Sequence, residues 1–292
     1  MGDGLSHTDV FWAPPTMPAP ATRSAAQQTP HHEKGPLGPV TIVPDYYGQT
    51  APGTIRESDY KRMTDVYGRI EAGQSQVKFD DSGFFKDAKG NPISLKDQPV
   101  EYLKAMNRAD DFREQYMGHL AELVKTPAGL QLLEQLDHSK HSTTIALSDN
   151  NHVDAADWKN AHVDKRGRAG KGSDTVVGID PAATTWPARD ETCNSDHVEP
   201  WTQDRSRFGF YHELVHAYFY NRGEGAIGGH NHSACAGMQW NIPNWEWQAV
   251  GLGPYARNDV SENTIRQQMG APLRPSYGGT AYDDPDPIKH RR

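Results

Sequence analysis

Phe208-Gly-Phe-Tyr211-His212-Glu213-Leu214-Val215-His216-Ala217-Tyr218-Phe219 decides the reading of this chain. Helical residues four apart share a face, so His212 and His216 can present two imidazoles to one tetrahedral ion, with Glu213 beside it as a base. Phe208, Tyr211, Val215, Tyr218 and Phe219 give this helix apolar cover on both sides of the histidine face, as a buried helix requires. The ion implied is zinc, and the activity implied is hydrolysis by a metal-activated water.

A hydrolytic zinc site needs a third protein ligand. Downstream, Asn244-Trp245-Glu246-Trp247-Gln248-Ala249-Val250-Gly251-Leu252 places one acid in an apolar helix. Burying Glu246 without a partner would be costly, and coordination removes that cost; the competing reading is a surface glutamate on a Trp-rich amphipathic turn. Glu262 competes for the ligand role, but Asp259-Val260-Ser261-Glu262 reads as a capping box with Asp259 as N-cap. His230 and His232, in a glycine-rich loop, are further candidates, better suited to a wall of the cleft.

Around this helix the chain divides into three parts. Residues 1–55, rich in Pro, Ala, Thr, Gln and His, read as a disordered leader or linker. Residues 56–277 read as one domain, with a helical part at 56–140 and the sheet and metal site at 141–277. Helices are expected over 57–72, 100–125, 127–136, 245–252 and 259–269, with Pro127 in a first turn where its missing N–H costs little. The β-branched runs 141–148 and 173–180 predict two strands ahead of the metal helix, and 223–244 reads as loop. Residues 278–292 read as a flexible tail. The expected fold is α+β: a small mixed sheet, the His-Glu-x-x-His helix and a mainly helical remainder.

Composition narrows the function. A formal charge of −8, with no concentrated basic stripe, excludes phosphate-dominated nucleic-acid binding. No stretch approaches the 18 or so apolar residues of a membrane span, and the N-terminus lacks the basic and apolar regions of a secretory signal. Met1-Gly2-Asp3-Gly4-Leu5-Ser6 formally fits a myristoylation pattern. Cys193 and Cys235 allow one bridge or two free thiols: a bridge would suit an oxidising destination such as a bacterial periplasm, and free thiols a host cytosol.

The ordered set HELVHA, EWQAVGL and SENTIRQQMGAPLRPSY resembles the neurotoxin-like zinc protease effectors that bacteria inject into other cells, which in turn resemble the clostridial neurotoxin light chains. The similarity spans roughly residues 127–277 and is dense in the last third. It implies a zincin-like metallopeptidase of the gluzincin type, with His212, His216 and Glu246 as zinc ligands and Glu213 as general base. It also implies that Arg274 and Tyr277, in Arg274-Pro275-Ser276-Tyr277, face the scissile carbonyl; an oxyanion needs such donors besides the metal. Delivery by a contact-dependent route into a target cell, a protein substrate there, and a secretion apparatus or immunity protein as partner follow from the same resemblance. The long N-terminal portion departs from the compact effectors and suits an extension of a VgrG-type spike of type VI secretion. Two other functions fit the motif: a zinc hydrolase cutting a cell-wall amide, and a non-catalytic interaction module.

Overall fold

A computed structural model describes residues 31–45, 54–80, 109–148, 150–181, 183, 200–233 and 239–277. Side chains are described for these residues except 31–34, 109–110, 230–233 and 239–240. The fold is α+β, as expected, built on a four-stranded mixed sheet.

That sheet contains β4 (Val77–Phe79), β5 (Thr143–Leu147), β6 (His152–Ala155) and β7 (Thr175–Ile179), in the order β4-β5-β7-β6. The two strands read from sequence, β5 and β7, are central neighbours and pair in parallel, Thr143 opposite Thr175 and Leu147 opposite Ile179. Ile145, Val177 and Ile179 are fully buried, which explains why both strands read as β-branched runs rather than as alternating patterns. β6 runs antiparallel along the outer edge of β7. Gly178 makes this possible: a Cβ there would collide with the imidazole of His152, which lies across β7.

The metal-motif helix spans Arg205–Asn221 and is buried from Phe208 to its end. Such a helix has no polar stripe, because sheet, helices and loops cover it on all sides. It packs on β6 and β7 on one side and on the helices Ala109–Leu123, Pro127–Asp137, Asn244–Val250 and Glu262–Gln268 on others. In chain order these helices are α1 (Glu57–Glu71), α2 (Ala109–Leu123), α3 (Pro127–Asp137), α4 (Trp158–Ala161), α5 (Arg205–Asn221), α6 (Asn244–Val250) and α7 (Glu262–Gln268). Polar ties fix α5 at both ends. Asn221 Nδ2 donates to the Ser173 carbonyl at 3.0 Å beside β7, and the Tyr211 hydroxyl donates to the His119 carbonyl of α2 at 2.8 Å.

The other helices form as their sequences require. In α1 the buried residues Met63, Val66, Tyr67 and Ile70 repeat at three- and four-residue spacing, making one apolar stripe. α3 starts at Pro127 with Thr126 as N-cap, whose hydroxyl accepts from Gly129 N at 3.0 Å. Gly129 is required there, since a Cβ would meet the Leu123 carbonyl and the Thr126 hydroxyl. α6 stops at Gly251, whose φ of 82° is the left-handed conformation that favours glycine.

Three expectations change. Part of the presumed leader is folded: β1 (His31–Gly35) and β2 (Gly38–Val43) form a hairpin, β3 (Thr54–Arg56) pairs parallel to β2, and Leu37 at the turn enters the main core. Its few strand residues lie among Pro and Gly that serve as turn and strand ends, so composition concealed them. The presumed loop at 223–244 contains a second hairpin, β8 (Gly229–Ser233) with β9 (Gln239–Pro243), whose backbone pairing needs no hydrophobic pattern. The helix expected over 259–269 begins at Glu262, with Ser261 rather than Asp259 as its cap; the Ser261 hydroxyl accepts from Thr264 N at 3.1 Å. The readings of residues 1–30 and 278–292, and of Cys193 and Cys235, fall outside the described residues. No helix among the described residues is long and apolar enough to cross a membrane.

Candidate metal centre

α5 carries His212 and His216 one turn apart, and α6 brings Glu246 against them. His212 Nε2 lies 3.0 Å from His216 Nε2, and each lies 3.1 Å from Glu246 Oε2. Ligand bonds of about 2.0–2.1 Å at tetrahedral angles separate neighbouring donors by about 3.3 Å, so a triangle of this size fits one zinc-sized ion. Among the described residues these three form the His/Cys/Asp/Glu group able to hold a metal. Protons bridge such a triangle one edge at a time, whereas a cation at its centre takes a lone pair from all three atoms.

The charges point the same way. Burial works against a proton on His212, but hydrogen bonds to Glu246 and Glu262 outweigh it and push its pKa up to about 9. Burial likewise opposes the charge on Glu246, and the two histidines more than reverse that, holding its carboxyl well below the usual range. The pocket therefore draws positive charge to the triangle, a place that a metal cation could fill.

Glu213 follows His212 on the helix and is buried at 8% exposure. Burial raises its carboxyl pKa, opposed by the charges of His212 and His216; His152 from the edge strand β6 acts in the same lowering sense. Among the described residues no hydrogen bond ties this carboxyl down, leaving it open to a proton from the site.

Glu262 is where the sequence reading needs its main correction. It is fully buried and faces His212, with Oε2 accepting from His212 Nδ1 at 3.0 Å. Its partners are Arg266, whose Nε donates to Oε1 at 2.7 Å, and Arg274, whose Nη1 donates to Oε2 at 3.0 Å. These buried cations, together with His212, outweigh the effect of burial and hold the Glu262 carboxyl ionised. An ionised carboxylate only accepts, so His212 Nδ1 carries a proton, and Nε2 is the atom turned to the triangle. Glu262 is thus neither a capping residue nor a member of the triangle; it orients His212 from behind.

Arg274 belongs to the same layer. Its guanidinium reaches Glu262 and also donates to the backbone carbonyls of Ser276 at 3.1 Å and Tyr277 at 2.9 Å. At 4% exposure it is buried against Glu262 and these two carbonyls, contacts that differ from those expected of a group facing the scissile carbonyl. Tyr277 does reach the site. Its ring centroid is 6.2 Å from that of His212, and its phenol is held protonated by burial and by the Glu246 and Glu213 charges around it. The side chains of His230 and His232 are not among those described.

Sequence reasoning passed over His152, Trp158 and His162. His162 and Trp158 join Tyr220 and Trp245 in an aromatic cluster beside His216, with ring centroids 5.7 Å apart between His216 and Tyr220 and 4.8 Å between Tyr220 and His162. A lone histidine in an Asp/Lys-rich loop gave no signal of this.

Residues 103–277 match the family model Peptidase M91, described as effector protein. No curated protein sequence matches the chain. Among solved structures, the light chain of botulinum neurotoxin serotype HA is similar at 15% identity and a TM-score of 0.35; the match covers 67% of this chain and 57% of that one. The chain thus spans little more than half the length of that light chain.

Proposed function

Because the chain belongs to the Peptidase M91 family of effector proteins, we propose that it is a zinc metalloendopeptidase acting on a protein in a target cell. The observation that carries this reading is the triangle of His212 Nε2, His216 Nε2 and Glu246 Oε2, with edges of 3.0–3.1 Å, beside the buried carboxyl of Glu213.

In this proposal His212, His216 and Glu246 hold zinc. When bound there, zinc brings the pKa of a water to about 7 and polarises a carbonyl. Glu213 accepts the proton of the attacking water and returns it to the leaving amine; burial raises its pKa, the direction that favours a carboxylate taking up a proton. Tyr277, protonated and beside His212, donates a hydrogen bond to the carbonyl oxygen as negative charge develops on it. Arg274 and Glu262 keep His212 and the Tyr277 backbone in place. Delivery into another cell is supported by the family's description as effectors.

Metal analysis of the purified full chain with peptide-cleavage assays tests the proposal. One zinc per chain is expected, with His216→Ala and Glu246→Ala losing both metal and cleavage. Wild-type metal content in both variants would overturn the ligand assignment.

A further inference from the structure

Trp158 and Ile227 are the large apolar side chains left exposed among the described residues, at 50% and 39%. They come from different segments, yet both lie beside the start of α6, next to the proposed ligand Glu246. Trp158 meets Trp245 edge-to-face at 5.2 Å, and the carbonyl of Ile227 accepts from Asn244 Nδ2 at 2.8 Å. Val163 N donates to the Gly225 carbonyl at 3.0 Å, and Gly225 N to the Ala161 carbonyl at 3.0 Å, so the two segments are laced together.

The position of Trp158 is built rather than incidental. Asp157 caps α4, accepting from Asn160 N at 3.0 Å, and its own N–H donates to Ser173 Oγ at 2.8 Å. Under the indole, His162 packs at 4.1 Å between centroids and returns its Nδ1 proton to the Trp158 carbonyl at 2.8 Å. Gly225 leaves the room this requires, since a Cβ there would stand 2.8 Å from both His162 Cδ2 and Tyr220. A tryptophan fixed this firmly, yet half in water, keeps its apolar area for something that arrives.

Resting on the peptidase reading above, we infer that Trp158, Trp245 and Ile227 form a substrate subsite that receives a large apolar or aromatic side chain close to the scissile bond. Its place follows from continuity with the centre: Trp245 precedes Glu246, and ring contacts lead from Trp158 through His162 and Tyr220 to His216. An aromatic side chain fits because rigid indole edges and faces pair favourably with another ring.

The test is cleavage of a proteome-derived peptide library by the full zinc-loaded chain, read by mass spectrometry, beside Trp158→Ala and Trp158→Phe. The expected result is enrichment of large apolar or aromatic residues at one position within about three residues of the cut. Trp158→Ala should lower that enrichment about tenfold, and Trp158→Phe less, with zinc content unchanged. An unchanged profile in Trp158→Ala overturns the subsite, as does a wild-type profile with no apolar preference. Enrichment of Lys or Arg at that position would overturn its apolar character. If the wild type cuts no peptide while holding zinc, the peptidase reading itself falls and the subsite with it.

Discussion

His212 Nδ1 donates to Glu262 Oε2 at 3.0 Å, so one side of this imidazole is fixed by a buried carboxylate while the other faces His216 and Glu246. A ring held in one tautomer and one orientation is a better ligand than a mobile one. Removing the carboxylate should therefore weaken metal binding. Glu262→Gln is expected to lower zinc affinity about 10- to 100-fold, measured by competition with a chromogenic chelator. Wild-type affinity in this variant would leave Glu262 without the orienting role.

Arg274 and Tyr277 are close in sequence but should differ in effect. Arg274→Ala leaves the Glu262 charge buried with one cation fewer, and is expected to cost about 3–5 kcal/mol of stability in denaturant titrations. Tyr277→Phe removes a single donor and should leave folding and zinc content intact while lowering kcat about a hundredfold. Equal losses of stability in both variants would contradict this division.

The N-terminal hairpin gives a prediction that separates a folded segment from a loose one. Leu37 is 1% exposed within the main core. Leu37→Ala should cost about 2–5 kcal/mol in chemical unfolding, the range for truncating a well-packed leucine. An unchanged midpoint would mean that residues before Thr54 add nothing to the core.

Metal removal should register in stability as well as in activity. Three donor atoms within 3.1 Å of one another are stabilised when a cation sits among them. Stripping the protein with a chelator should lower its melting temperature, and zinc at about a thousand times its Kd should restore about 4 kcal/mol. A melting curve insensitive to zinc would count against the site.

Local features were legible in the sequence, and features made by packing were not. His212, Glu213 and His216 stand out because one helix sets their spacing, and Glu246 because an acid in an apolar helix needs a reason. β5 and β7 announced themselves through β-branched residues buried on both faces. Glu262 misled because a glutamate near a helix start reads equally well as a cap; only the approach of Arg266, Arg274 and His212 from other turns and elements reveals it. β4 has three residues, too few for a period, and Trp158 gains its meaning from Trp245, far along the chain.

The central claim is that Glu213 does proton work at a zinc held by His212, His216 and Glu246. Its most direct test is peptide turnover by Glu213→Gln protein verified to carry one zinc per chain. The account predicts retained metal and turnover reduced by about a hundredfold or more. Turnover near the wild-type rate at full zinc loading would contradict it.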